Sequence, residues 1–318
     1  MDQCVEKAVR LLRIADLGED GVVDRVAAAC GVIAGRPANR GAVAARVETL
    51  ALYSAALRRL LASPGIPQRT DAWYAARETM VTGSELSSAV SKSSRKQFFK
   101  RKLAGPSAWD GMKDKPAIRW GVKYEPVAAA LYASRNAAAV HDFGLLSHPS
   151  IRGFGASPDG ISDLGIMLEI KCPFTRNITA EVSEAYWSQI QSQLAVAGLS
   201  ECDFLEVKFQ EYASAEEFER DAAPGDPNLS RSGMEKGAVL KTDDVHEFSV
   251  GAGSAAWASG RPGSALWSVV VYSCVRVKKD DAYIAGLAAE IERVVDELAG
   301  YRLDPAALES EFPFLPDQ

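Results

Sequence analysis

Residues 153–173 read GFGASPDGISDLGIMLEIKCP, and the reading of the whole chain grows out of them. Ser157-Pro158-Asp159-Gly160 is a strong turn signal, because proline fixes φ at one corner and glycine tolerates the backbone angles at the other. Ile166-Met167-Leu168-Glu169-Ile170-Lys171-Cys172 comes next as an apolar run carrying two charges. A strand repeats every two residues, so Glu169 and Lys171 leave one face while Leu168 and Ile170 leave the other. Two opposite charges on one face of a central strand are costly unless that face is a site. The expected local structure is strand, tight turn, second strand, with the turn carrying Asp159 back beside Glu169. Two carboxylates, a backbone carbonyl and waters are what a hard divalent cation takes as ligands. Lys171 would then stand next to a metal-bound water. Taken singly, Pro-Asp-Gly is most often a surface turn, and Glu-x-Lys a cross-strand ion pair. The combination and its flanks carry the reading.

The composition sets bounds. The chain has 318 residues, enough for one large domain or two small ones. No run of about 18 apolar residues occurs, so no membrane span is expected. The N-terminal stretch carries early acids and lacks the long apolar run of a signal peptide. Five scattered cysteines without zinc spacing favour a reducing compartment, hence an intracellular setting, cytoplasmic or nuclear. The net charge of −6 makes nucleic-acid binding depend on a local basic patch.

Upstream of the decisive stretch, residues 1–66 pattern as three amphipathic helices, ending at a Ser63-Pro64-Gly65-Ile66-Pro67 break that reads as a linker. Residues 67–318 are then the second unit. Trp73 to Arg77 is helical, and Ser84 after Thr82-Gly83 reads as the N-cap of a new helix. A helix start with a hydroxyl and a nearby Arg77 suits a phosphate. Residues 91–102 hold Lys92, Arg95, Lys96, Lys100, Arg101 and Lys102 with no acid, and Phe98 and Phe99 between them. This is either the required DNA-binding patch or a solvated helix face whose phenylalanines enter the core. Residues 105–117 read as a loop. Trp120 to Pro126 leads into a helix, placing Glu125 near a helix start from which it could project toward the metal.

Downstream, Ala185 to Leu194 is a helix, with Tyr186, Gln189 and Gln193 on one face and Trp187, Ile190 and Leu194 on another. A helix after the charged strand is placed to lay a glutamine on a nucleophilic water. Cys202–Gln210 and Leu266–Val277 read as strands, and Asp281–Leu298 as an amphipathic helix. Residues 213–265, rich in Gly, Ser, Asp and Pro, read as an insertion with a short hairpin around 239–250. His141 and His148 read as structural, since magnesium or manganese suits oxygen ligands and zinc would want His or Cys. Cys172 reads as a packing residue.

In order, W-Y-A-A-R…T-G-S, W-G-x-x-x-E-P, S-P-D-G, L-E-I-K-C-P and Y-W-S-Q-I-Q resemble the lambda exonuclease / YqaJ-type viral recombinase (alkaline exonuclease) branch of the PD-(D/E)xK nuclease superfamily. The resemblance covers residues 69–212 and is completed by 266–299. It implies an α/β (α+β) restriction-endonuclease-like core, a central mixed sheet flanked by helices, here with an extra N-terminal helical region. It implies that Asp159, Glu169 and the carbonyl of Ile170 hold Mg2+ (or Mn2+), with Glu125 serving a second ion. Lys171 would orient or deprotonate the attacking water, Gln189 would position it, and Arg77 and Ser84 would grip a 5′-phosphate. The implied activity is a DNA exonuclease working from duplex ends, 5′ to 3′, in recombination or replication, in a viral or phage-type protein. A ring-forming homo-oligomer (a trimer) and a single-strand annealing or replication partner are implied with it. A structure- or sequence-specific endonuclease and a non-catalytic DNA-end-binding protein are the alternatives.

Overall fold

A computed structural model describes residues 1–105, 114–243 and 245–312. Most of the loop expected at 105–117 lies outside the described residues. The N-terminal region folds as expected into α1 (Asp2–Leu11), α2 (Val22–Ala34) and α3 (Arg40–Leu61). Asn39 caps α3 by accepting from Ala42 N–H. Then come α4 (Asp71–Glu78), β1 (Val81–Thr82), a single 3-10 turn at Gly83–Glu85, α5 (Leu86–Val90) and α6 (Arg95–Ala104). The long α7 (Pro116–Asn136) starts with proline in its first turn, where the missing N–H costs nothing. Short strands come after it: β2 (Val140–His141), β3 (Leu146–Ser147), β4 (Phe154–Ala156), β5 (Gly160–Ser162) and β6 (Met167–Lys171). The rest is α8 (Glu184–Ala197), β7 (Glu201–Glu211), α9 (Ala215–Arg220), β8 (Lys236–Lys241), β9 (His246–Val250), α10 (Ser254–Ser259), β10 (Ala265–Lys278), α11 (Asp281–Leu303) and α12 (Pro305–Glu311).

Seven strands form a mixed sheet in the order β2-β5-β6-β7-β10-β8-β9. β6 and β7 are parallel and joined through α8; the other neighbours are antiparallel. A small sheet, β1-β4-β3, stands beside it. The period-two reading of β6 holds. Leu168 and Ile170 pack with Tyr124, Val127 and Leu131 of α7 on one face. Met167 shares the opposite core with Ile190 and Leu194 of α8. The sheet is thus flanked by helices on both faces, the mixed α/β class expected.

Three expectations are corrected. Ser157–Gly160 is not the hairpin turn before β6: it links β4 of the small sheet to β5 of the large one. The hairpin closes later, at Ser162–Ile166, where Ser162 N–H donates to Ile166 O. There Gly165, at φ +73°, lies against α3, and a Cβ would meet the carbonyl oxygen of Tyr53 at 2.6 Å. Second, Ser84 caps no α-helix: it lies exposed in the 3-10 turn, and α5 begins after Glu85. Third, Pro126 lies inside α7, so Glu125 projects from the middle of a helix. The 213–265 segment contains the expected hairpin as β8-β9, and β8 pairs with β10, so it extends the main sheet.

Residue 66 is no gap in the packing. Ile66 bridges to Leu145, and Leu57 and Leu60 of α3 belong to the core under α8. The three N-terminal helices have their own core, closed by Leu164 and Ile166 of the hairpin turn. A buried ionic network bolts them to the sheet. Arg46 pairs with Glu6 and Glu201, and Arg276 pairs with Glu6, Glu201 and Asp203, whose other oxygen accepts from Tyr132. Burial pushes the carboxyls of Glu6 and Glu201 up, but the guanidinium groups outweigh it and hold both below the ordinary range.

Candidate active site

Asp159 and Glu169 meet through the backbone. Ile170 N–H donates to Asp159 Oδ2 at 2.7 Å, so the linker from the small sheet is tied to the middle of β6. Glu169 is fully buried, and both of its oxygens are occupied. Oε1 accepts from Lys171 Nζ and from Gln189 Nε2 (2.7 Å); Oε2 accepts from Gln193 Nε2 at 2.6 Å. Lys171 also sits 5.5 Å from the ring centroid of Tyr186. Glu125, half-buried on α7, pairs with Arg69 at 3.3 Å. Arg69 is one of four non-glycine residues with positive φ (+65°) among the described residues. Its neighbour Gln68 clamps Phe143 O and Pro158 O at 2.9 and 3.1 Å, fixing the approach of this strap to the Asp159 turn.

Crowding sets the electrostatics. Burial pushes the Asp159 carboxyl well above the usual carboxylate range, and Glu169 and Glu125 add to the push while Lys171 opposes it. Burial likewise raises Glu125, with Arg69 and Lys171 opposing and Glu169 adding. Burial works against charge on Lys171, yet Glu169 and Asp159 prevail and keep its ammonium above the ordinary lysine range. Lys171 is therefore a protonated donor in this arrangement. The donor set suits a hard cation: carboxylates and a carbonyl, in a place where surplus negative charge has no protein cation to spare. Among the described residues no three His, Cys, Asp or Glu side chains converge closely enough to hold a metal ion. Glu125 is paired with Arg69 instead.

A second cluster lies around Arg77. Its guanidinium is 4.2 Å from the Trp73 ring centroid, and Trp73 Nε1 donates to Ser157 Oγ at 3.0 Å, in the turn that carries Asp159. Arg77, Arg101, Lys102, Tyr74 and Glu85 line one pocket. Burial presses the pKa of Arg77 down, with Glu85 opposing. Lys102 donates to Arg77 O and to Glu85, holding the Arg77 backbone in place. Ser84 is not among the lining residues.

The basic run of residues 91–102 is largely folded inward. Arg95, Lys96 and Lys102 are buried. Arg95 pairs with Glu290, Lys96 and Lys100 with Glu309, and Lys102 with Glu85. Lys92 and Arg101 are exposed. His148 is structural, its Nδ1 accepting from Ser150 and Ile151 N–H. Cys172 packs in the core beneath α7. Sequence reasoning named Gln189 for a role and placed Gln193 on the same helix face, four residues on, without giving it one; both reach Glu169.

Sheet, buried acid-lysine strand and glutamine helix together define a mixed α/β protein with a buried carboxylate-lysine-glutamine cluster. Residues 72–200, about two-fifths of the chain, match the YqaJ-like viral recombinase domain, and the resemblance read from the motifs stands. That segment includes Arg77, Glu125, Asp159, Glu169, Lys171, Gln189 and Gln193. An uncharacterized protein of Acanthamoeba polyphaga mimivirus is 36% identical over 146 residues, covering 40% of this chain and 27% of that protein. A protein of African swine fever virus is 28% identical over 162 residues, covering 41% of this chain and 46% of that protein. The match thus spans less than half the length of either relative. Among solved structures, an alkaline exonuclease from Laribacter hongkongensis is 25% identical with a TM-score of 0.49, covering 76% of this chain and 100% of its own. A phage-related exonuclease from Haemophilus somnus is 12% identical with a TM-score of 0.40, covering 70% and 95%. No described helix is long and apolar enough to cross a membrane.

Proposed function

We propose that this chain is a metal-dependent deoxyribonuclease that degrades duplex DNA from its ends, 5′ to 3′, in recombination or replication within an infected cell. The observation that carries it is the hydrogen-bonded cluster of Glu169, Lys171 and Gln189 on a strand and a helix, with Asp159 of the turn tied beside it to the Ile170 N–H. The YqaJ-like match over these residues supports the nuclease class.

In this reading Asp159, Glu169 and the Ile170 carbonyl would hold Mg2+ or Mn2+, and Glu125 would serve a second ion. Bound metal supplies an acidified water and charge relief on the phosphate oxygens. The residues of the chain do the rest. Lys171, kept protonated, donates to a non-bridging phosphate oxygen and stabilises the charge that builds there. The Gln189 amide orients the attacking water beside Glu169. Arg77, fixed by Lys102 and stacked on Trp73, receives the 5′-phosphate of the end, with Arg101 at the rim of its pocket. Because Trp73 is bonded to the Asp159 turn, end capture and cleavage share one rigid unit.

The test incubates the protein with Mg2+ and linear duplexes bearing a 5′-phosphate or a 5′-hydroxyl, beside covalently closed circles, and repeats each with Lys171→Ala. The expected result is nucleotide release from linear DNA alone, faster from the phosphorylated end and lost in the variant. Cutting of circles would shift the reading to an endonuclease. No product with Mg2+ or Mn2+ would leave an end-binding protein. Ring assembly, which the resemblance implies, is read by sedimentation of the same sample.

A further inference from the structure

Gln193 is 3% exposed, and its amide joins the two segments that bring the site together. Nε2 donates to Glu169 Oε2 on β6 at 2.6 Å and reaches Ser157 O, in the Asp159 turn, at 3.4 Å. The NH2 side of the amide is the one that faces Glu169, as donor. The other end of the amide shows the cost, since Gln193 Oε1 is buried with no hydrogen-bond partner. The side chain has little room to turn away. The 3-10 turn lies directly on it: a Cβ at Gly83 would stand 3.4 Å from Gln193 Cγ and 3.2 Å from Ser192 Cβ.

Resting on the nuclease reading above, we infer that Gln193 is a positioning residue that clamps Glu169 Oε2, so that Glu169 offers only Oε1 to a divalent cation. The two oxygens are not equivalent. Oε1 faces partners that a cation can displace, the long Lys171 side chain and Gln189. Oε2 faces an amide locked by packing. A carboxylate held by one oxygen is a one-point ligand, which matches the small, strictly octahedral Mg2+. A carboxylate free to rotate and bind through both oxygens suits the larger Ca2+ instead. Gln193 thereby acts on which metal the site takes and how tightly, without touching the metal or the DNA.

The experiment titrates the full chain with Mg2+ and separately with Ca2+ by calorimetry, without DNA, in wild type, Gln193→Leu and Gln193→Met. Nuclease assays over Mg2+ concentration accompany it. Both variants keep the volume and remove the donor. The expected result is Mg2+ binding weakened by about 10–100-fold with Ca2+ binding kept or strengthened. The Mg2+ concentration for half-maximal rate rises in step, and excess Mg2+ restores most of the rate. Unchanged Mg2+ and Ca2+ affinities in a folded variant overturn the inference and leave the nuclease reading intact. A wild-type protein that binds neither ion and cuts nothing fails that reading itself. Binding is read on each variant that keeps the wild-type thermal transition. Loss of that transition in both overturns the positioning role in favour of a structural one.

Discussion

The backbone N–H of Ile170 donates to the Asp159 carboxylate at 2.7 Å, so the residue whose carbonyl is a candidate ligand is fastened, by its own amide, to another candidate ligand. The bond spans 11 residues and joins the linker from the small sheet to the large sheet, which makes Asp159 a structural anchor as well as a site acid.

Asp159→Asn separates the two roles. An amide oxygen still accepts from Ile170 N–H, but the charge is gone. Burial and the neighbouring carboxylates hold the Asp159 pKa above its unfolded value, so the folded state binds the proton more tightly. Such a group contributes stability at low pH that is lost as pH rises through the folded pKa. At neutral pH the variant is therefore expected to melt higher than wild type, by about 2–4 °C per kcal/mol relieved, while cleaving DNA at least about 100-fold more slowly. Thermal melts and nuclease assays at pH 7 check both. A melting point below wild type would show that the ionised carboxylate is needed for the fold.

The ionic network beneath the N-terminal helices fails by a different route. Arg276→Ala leaves Glu6, Glu201 and Asp203 crowded and partly uncompensated in a buried place. Removing one partner of a buried ionic cluster costs about 3–5 kcal/mol, read by urea unfolding. The pH dependence has a definite sign. Glu6 and Glu201 have depressed folded pKa values, so their contribution is complete above the unfolded carboxylate range and is lost as pH falls through the folded values. Wild type should lose stability steeply on acidification below about pH 4, and Arg276→Ala should show a shallower loss.

How far the sequence could be read depended on the range of the interactions. β6 was legible because a strand's period is local, and Glu169 and Lys171 announce their shared face. The helices of residues 1–66 were legible for the same reason, but not their attachment: nothing near Arg46 indicates that its partner is Glu201, 155 residues away. The Ser157–Gly160 turn was over-read because Pro-Asp-Gly outweighs the plainer Asp163-Leu164-Gly165, and three-residue β5 is too short to show alternation. Residues 91–102 looked like an open basic face because their acids, Glu290 and Glu309, lie about two hundred positions downstream. Gln193 was legible only as a neighbour of Gln189 on one helix face, because a buried glutamine and an exposed one have the same sequence pattern.

The pocket around Arg77 gives a prediction about DNA ends. Arg77 is held by Lys102 at its carbonyl and by Trp73 at its guanidinium, with Arg101 alongside. A charge-assisted bond to a phosphate contributes about 1.5–3 kcal/mol, so Arg77→Ala should raise KM roughly 10–100-fold for 5′-phosphorylated duplex and little for 5′-hydroxyl duplex. Ser84→Ala, on an exposed residue outside the pocket, should change neither by more than about twofold. Steady-state kinetics on the two duplexes measure the difference. An equal rise on both ends would remove the pocket from end recognition.

The cations of residues 92–102 divide into two groups that salt titration can tell apart. Arg95 and Lys96 are buried and paired with Glu290 and Glu309, so neutralising either removes internal bonds. Lys92 and Arg101 are exposed and able to meet phosphate. Removing a cation that neutralises one phosphate lowers the slope of log affinity against log salt by about one. Lys92→Ala and Arg101→Ala should each reduce that slope by about one with thermal stability unchanged. Lys96→Ala should leave the slope alone and lower stability, and Arg95→Ala more so, because its guanidinium also donates to Ala89 O and Val90 O at 2.8 and 3.0 Å. Fluorescence anisotropy on labelled duplex across a salt series, with Ca2+ in place of Mg2+ to prevent cleavage, gives the slopes. A reduced slope for Lys96→Ala would mean that the pair with Glu309 opens on DNA and that the inward-folded run is released to the substrate.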